Sequence, residues 1–375
     1  MKILFTGGGT GGHFYPIIAV CQEIREIARN KKLVEPQFFY MADNPYNEKI
    51  LFENKIKFIP VTAGKIRRYF SLKNLITPFY IASGILAAII KMYQIYPDVI
   101  FSKGGYASVP ALMAGRLLRI PIIIHESDSD PGRANLWSAK FAKRVALSYP
   151  EALKYFPQEK SAVVGNPLRR DILKPIKDGA FEFLKLDPEI PVIFIVGGSQ
   201  GAVKINEVIL DILPELLDKY QIIHQTGKDN FDDVSLRANF LLKDNPQKKR
   251  YKPFAYLNDL AMKMAAGATQ LIISRAGSAI FEFALWGIPS LIIPIPENVS
   301  HDQRTNAFTY ARSGACVVIE ENNLTPSILK AEIDRLMNNP EDREKMSQAA
   351  KAFARPEAAF LIAEEIIKIG LEHEE

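Results

Sequence analysis

Short runs of β-branched and aromatic residues recur along the chain, separated by longer segments of mixed polarity. In the first half they read KILFT, FFYMA, DVIFS and PIIIH; in the second, PVIFIVG, QIIHQTG, QLIISR and SLIIPI. A strand that is apolar on both faces needs cover on both, so this alternation predicts parallel sheets flanked by helices, an α/β architecture. The series restarts near the middle. Residues 162–175, AVVGNPLRRDILKP, are rich in Pro, Gly and charge, and a fresh strand running into glycines opens at Pro191. The pattern predicts two doubly wound, Rossmann-like domains facing one another across a cleft, over residues 1–164 and 165–345, and a helical tail over 346–375. The tail is broken at Pro356 and carries Phe360, Ile362, Ile366 and Ile367 at helical spacing, a face suited to packing back across the junction.

Composition narrows the class. With 48% hydrophobic and 24% charged residues in 375, the chain reads as a folded protein long enough for two cores. Its longest apolar stretch, Phe79 to Ile90, falls short of the roughly 20 residues a spanning helix needs. The opening MKILFTGGG runs straight into glycines, as a first strand does and a secretion signal does not. Cys21 and Cys316 stand far apart with no paired spacing, which argues against a disulfide framework or a cysteine zinc site and for a reducing, cytoplasmic setting. A net charge of +5 without an arginine-rich arm argues against nucleic acid and leaves an anionic lipid surface open.

Two strand ends run into glycine clusters, Gly7 to Gly12 and Gly197 to Gly201. Glycine lets backbone approach a ligand, and the helix that follows points N–H groups and a positive dipole end at the turn, so both turns suit anions. Gly7, Gly9 and Gly12 also spell the G-x-G-x-x-G of dinucleotide-binding proteins. That reading wants an acidic residue about 20 positions further on. Asp43 lies too far, and the second turn would be left without a role. Tight packing with no ligand explains one such turn more comfortably than two.

Further polar residues cluster in the second half. SRAGSAIFE puts Arg275, Gly277 and Ser278 at a strand end, with Glu282 about a turn of helix beyond. A carboxylate there suits the two ribose hydroxyls of a nucleotide, and equally suits a solvated helix face. HDQRTNA supplies Gln303 and Asn306, amides fit for sugar hydroxyls or for capping.

Taken together, GGGTGGHFYP, SKGGYASVP, IIHESDSDPGRAN, VVGNPLR, VGGSQGA, SRAGSAIFE and HDQRTNA resemble, in order and over nearly the full chain, the motif series of the MurG family of peptidoglycan glycosyltransferases. The resemblance implies a GT-B fold and transfer of N-acetylglucosamine from UDP-N-acetylglucosamine to the lipid-linked muramoyl-peptide lipid I, without a cofactor. It implies that Ser199 with its glycine neighbours, and the helix start at Gly277 and Ser278, hold the UDP diphosphate. Glu282 would hold the ribose, Gln303 the transferred sugar and Leu257 the uracil. Thr10, Gly11, Gly12 and Arg169 would line the cleft as part of the donor-sugar site. Asp128 takes a position where many members have Asn, which removes a donor at a place assigned to sugar binding. SRAGSAIFE is one residue shorter than the commoner version, and the segment before it is longer.

Such a transfer needs the leaving diphosphate stabilised and the acceptor hydroxyl deprotonated. Helix dipoles and N–H groups serve the first, and DSD at 128–130 is no convincing metal pair, so metal-independent chemistry is expected. His13 and Glu126 are the candidate bases. A histidine at a helix start is held neutral by the dipole, as a base must be, although it could instead position the acceptor or serve packing. A lipid-linked acceptor implies peripheral docking on the cytoplasmic face of the membrane. Lys65, Arg67, Arg68 and Lys73, with Tyr69, Phe70, Phe79 and Tyr80, form a candidate patch for anionic lipid; a solvated basic loop is the plainer reading. Two rival functions share the scaffold: a UDP-N-acetylglucosamine 2-epimerase, and a nucleotide-sugar sensor without catalysis.

Overall fold

The computed structural model describes residues 1–8, 10–64, 73–198, 201–297 and 301–374, with backbone alone at 73–78, 301–302 and 374. It divides into two compact units, Met1–Arg170 with Arg355–Glu375, and Asp171–Ala354.

The first unit is built on β1 (Lys2–Thr6), β2 (Gln37–Ala42), β3 (Ile56–Pro60), β4 (Val99–Ser102), β5 (Ile122–Glu126), β6 (Arg144–Leu147) and β7 (Ser161–Val163). They pair in parallel in the order β3-β2-β1-β4-β5-β6-β7. Helices α1 (Gly11–Asn30), α2 (Glu48–Glu53), α3 (Lys73–Ile95), α4 (Val109–Leu117) and α5 (Arg133–Ser138) connect them. In β1, Ile3, Leu4 and Phe5 are wholly buried because helices cover both faces of the sheet.

The second unit repeats the plan with β8 (Val192–Val196), β9 (Gln221–Gln225), β10 (Tyr251–Phe254), β11 (Leu271–Ser274), β12 (Ser290–Ile292) and β13 (Cys316–Val318), in the order β10-β9-β8-β11-β12-β13 and again all parallel. Its helices are α6 (Ala180–Leu184), α7 (Val203–Lys219), α8 (Phe231–Leu241), α9 (Asp259–Ala268), α10 (Ala279–Trp286), α11 (His301–Arg312), α12 (Pro326–Met337) and α13 (Pro340–Phe353). In α7 the buried Ile205, Val208, Ile209, Ile212, Leu213, Leu216 and Leu217 follow helical spacing and form one apolar stripe on the sheet. The last helix, α14 (Ala358–Glu374), returns to the first unit, where Ile362, Ala363, Ile366 and Ile367 enter the core against Ile3, Ile17 and Val20.

Both sheets are doubly wound, as the alternation of runs predicts. The pattern did not mark β3, β6, β7, β10 and β13. Four of these are sheet edges, where one flank lacks a neighbour and Lys57, Lys252 or Pro253 is tolerated. Strand order reverses between β1 and β4 in one unit and between β8 and β11 in the other. In open α/β sheets the crevice beyond the carboxyl ends of strands at such a reversal is where ligands bind. The two glycine turns follow β1 and β8, and SKGG and SRAGS follow β4 and β11. Each unit therefore places its glycine motifs at its own reversal point.

Candidate active site

In the first unit, Thr10 caps α1 in extended conformation without a side-chain capping bond, and His13 is the third helical residue. His13 Nδ1 lies 3.0 Å from the Gly8 carbonyl. A carbonyl only accepts, so Nδ1 carries the proton and Nε2 holds the lone pair of the neutral ring. Gly105 makes this seat possible: its φ is +80°, and a Cβ there would stand 3.1 Å from His13 Cε1 and Nδ1. Gly11 faces Tyr15 and Tyr46, whose hydroxyl would be 2.6 Å from an added Cβ. Gly12 is half-buried beside it. Arg169 lies over the Tyr15 ring, 4.4 Å from its centroid.

Lys103, at the end of β4, is 1% exposed. Its ammonium donates to His125 Nδ1, and His125 Nε2 in turn donates to the Gly165 carbonyl at 2.9 Å. Burial and the Lys103 charge hold His125 well below the usual imidazole range. Burial pushes Lys103 down to about 8 against the pull of Glu126 and Asp128.

Glu126 is buried, and its carboxylate accepts three hydrogen bonds, two from the loop that follows it and one from α5. The N–H of Asp128 is at 2.9 Å, that of Gly132 at 3.0 Å and Asn135 Nδ2 at 2.9 Å. Burial and the neighbouring Asp128 raise its carboxyl to about 7 despite those donors. The carboxylate thus braces the loop that presents half-buried Asp128 beside His13. His13 itself is lowered by burial and by Lys103, and raised by Asp128 and the Gly8 carbonyl. Lys103, His125 and Asn135 are structural members of this cluster that their residue types did not single out. Nothing in the order Ser-Lys-Gly-Gly marks Lys103 as buried; the two glycines that follow it take positive φ in the structure.

In the second unit, Gly197 allows a tight turn, since a Cβ there would stand 2.7 Å from the Ala202 nitrogen. Ser199 lies outside the described residues. Ser278 precedes α10 as its cap, and half-buried Glu282 sits in the helix's first turn. A Cβ added at Gly277 meets no described atom within 4 Å, and its φ lies outside the left-handed region. Arg275 donates to the Ile293 carbonyl at 3.1 Å and pairs with Glu321, bracing the ends of β11 and β12. Gln303 Oε1 accepts from the Ile295 N–H at 3.3 Å, tying α11 to the loop after β12. The Leu257 side chain is buried in the core, and its N–H donates to Gln225 Oε1 at 2.9 Å. Among the described residues no three His, Cys, Asp or Glu side chains are grouped as metal ligands.

Comparison with known proteins identifies the family of the chain. Residues 3–147 match the glycosyltransferase family 28 N-terminal domain and residues 192–362 the glycosyltransferase family 28 C-terminal domain. The chain is 38% identical over 368 residues to UDP-N-acetylglucosamine--N-acetylmuramyl-(pentapeptide) pyrophosphoryl-undecaprenol N-acetylglucosamine transferase 3 of Bacillus thuringiensis, covering 97% of this chain and 99% of the relative. The chain belongs to the MurG branch of glycosyltransferase family 28. The Acinetobacter baumannii MurG crystal structure superposes with a TM-score of 0.74 at 27% identity, over 98% of this chain and 99% of the other. The fold is therefore GT-B. A UDP-GlcNAc 2-epimerase from Neisseria meningitidis, bound to UDP-GlcNAc, shares that fold at a TM-score of 0.68 and 17% identity, covering 98% of this chain and all of the other. Family 28 membership makes the chain a glycosyltransferase.

Proposed function

We propose that the chain transfers N-acetylglucosamine from UDP-N-acetylglucosamine to the muramoyl sugar of lipid I, with inversion at the anomeric carbon, in bacterial peptidoglycan synthesis. The donor binds the second unit, its diphosphate at the turn after β8 and the start of α10. Glu282 takes the ribose hydroxyls, and Gln303 faces the sugar. The acceptor binds the first unit, and Thr10, Gly11, Gly12, Asp128 and Arg169 keep the assignment to the donor sugar that the motif resemblance implies.

The observation that carries the reading is the seat of His13. Its Nδ1 proton is committed to the Gly8 carbonyl, which leaves Nε2 as the ring's proton acceptor. As the acceptor oxygen forms its bond to the anomeric carbon, its proton passes to Nε2. The bond from that carbon to the diphosphate oxygen breaks, and UDP leaves with the electron pair. N–H groups and the dipole at a helix start stabilise that leaving charge. Glu126, already accepting three donors, serves the loop in this reading and leaves the base role to His13. Incubation with UDP-N-acetylglucosamine and a lipid I analogue is expected to yield disaccharide and UDP. Epimerised sugar would favour the epimerase, and neither product would favour a sensor.

A lipid-linked acceptor calls for a membrane surface, and no helix among the described residues is long and apolar enough to cross one. Helix α3 offers an alternative. One face packs inward through Gly84, Ala88 and Met92, with a Cβ at Gly84 standing 1.9 Å from the Thr62 carbonyl. The opposite face exposes Phe79 (76%), Leu86, Ile90 and Tyr93 (72%), an apolar stripe at helical spacing. Lys65, Arg67, Arg68, Tyr69 and Phe70 lie outside the described residues, as does the Lys73 side chain. We assign this stripe to peripheral docking on anionic lipid at the cytoplasmic face. The protein is expected to bind anionic vesicles. Binding should fall at least fivefold when Leu86 and Ile90 are both replaced by serine, and weaken in about 0.5 M salt, where screening shortens electrostatic reach. Equal binding by the double variant would remove α3 from the docking surface.

A further inference from the structure

The second unit contains a buried amide that touches both ends of the proposed nucleotide site. Gln225 ends β9 and is 3% exposed. Its Nε2 donates to the Gly198 carbonyl at 3.3 Å, its Oε1 accepts from the Leu257 N–H at 2.9 Å, and its own carbonyl accepts from the Gly197 N–H at 3.3 Å. One residue thus grips the glycine turn after β8 twice and the loop after β10 once.

Thr226 extends the grip. Its N–H donates to the Phe254 carbonyl at 3.0 Å, and its carbonyl accepts from Asn206 Nδ2 at 3.1 Å and Asn230 Nδ2 at 3.2 Å. A Cβ at Gly201 would stand 2.2 Å from that same carbonyl, so the far end of the turn rests on it. Behind Asn206 lies His224. Its Nε2 donates to Asn206 Oδ1 at 3.0 Å, and its Nδ1 accepts from the Tyr251 hydroxyl at 2.9 Å. Burial pushes this imidazole down to about 3, so the network stays neutral and its donor directions are fixed.

Strands β8 and β10 are two steps apart in the sheet, about 10 Å at ordinary strand spacing. That is the reach of a nucleoside from its first phosphate. We propose that Gln225 is a positioning residue that fixes the distance between the diphosphate-holding turn and the loop after β10, so that the second unit measures a pyrimidine nucleoside diphosphate as one object. The inference rests on the donor-site reading above. Gln225 touches no reacting atom; it acts through Gly198 and Leu257.

The test uses the full-length protein, UDP binding by calorimetry, and kinetics with UDP-N-acetylglucosamine and a lipid I analogue. Gln225→Met keeps the volume and removes both side-chain bonds. It is expected to weaken UDP binding and raise donor KM about tenfold, with kcat and acceptor KM within threefold of the parent. Gln225→Glu keeps the bond from Leu257 but sets a carboxylate against the Gly198 carbonyl. It is expected to lose at least as much donor affinity, and it carries the test if the Met variant does not fold. Donor KM and UDP affinity within twofold of the parent in a folded variant, or donor and acceptor KM rising together, would overturn the inference. Gly277→Val separates the two readings. If it loses UDP while Gln225→Met keeps it, only the role of Gln225 falls. If both bind UDP as the parent does, the donor-site reading has failed and takes this inference with it.

Discussion

Replacing His13 with alanine is expected to lower kcat about a thousandfold, the middle of the range for a positioned base, while leaving UDP affinity unchanged. The expectation follows from the seat of the ring. Nδ1 is held by the Gly8 carbonyl, Gly105 leaves room for the imidazole edge, and Nε2 retains the lone pair. Turnover within a few-fold of the parent would remove the base role.

The same base sets the acid limb of the pH profile. Only neutral His13 accepts a proton, so activity falls as pH drops through its pKa. Burial and Lys103 hold that pKa below the ordinary 6.5, and Asp128 opposes them. The acid limb of kcat/KM should therefore have its midpoint below 6.5. Lys103→Met removes a depressing charge and should move the midpoint up; Asp128→Asn removes a raising charge and should move it down. Shifts in one common direction would mean that His13 does not set the limb.

Gly277→Val is expected to fold with its melting behaviour nearly unchanged and to lose UDP about a hundredfold, some 2.7 kcal/mol of binding. Most glycines in this chain are glycine because the fold demands it. Gly201 would drive a Cβ into the Thr226 carbonyl, and Gly84 into that of Thr62. Gly277 is under neither constraint. Its φ suits an ordinary residue and a Cβ would meet no described atom within 4 Å, so a branched side chain costs the fold little. It would instead fill the space before α10, where the proposed diphosphate meets the helix start. Unchanged UDP affinity would displace the donor site from α10.

What the sequence made legible follows from how each feature is encoded. Central strands such as VIFIV and KILFT are buried on both sides and read as continuous apolar runs. Edge strands such as IKFIP and YKPF keep polar positions and pass for loops. The glycine turns were visible because a strand ending in glycines is a local signal. Their position at a strand-order reversal was not, because sheet order is a long-range property. Lys103 between a serine and two glycines resembles a solvated residue, yet tertiary packing buries it. Glu126 reads as an available carboxylate until the loop that follows it and α5 fold over it and supply three donors. Leu257 was assigned to the uracil from its place in a motif; its side chain belongs to the core, and its backbone N–H is taken by Gln225.

The course of the chain also orders its biosynthesis. Helix α14 supplies Ile362, Ala363, Ile366 and Ile367 to the core that holds β1 and α1, and Gly370 brings it close enough for the Met1 side chain to lie 2.6 Å from a would-be Cβ. Those residues leave the ribosome only after all of Asp171–Ala354 has been made, on the order of ten to forty seconds later at ordinary elongation rates. During that interval part of one apolar face of the first-made sheet lacks its cover, and by its end the later-made unit has all of its own core residues in hand. The half synthesised first therefore matures last, and depends through the wait on whatever shields nascent chains.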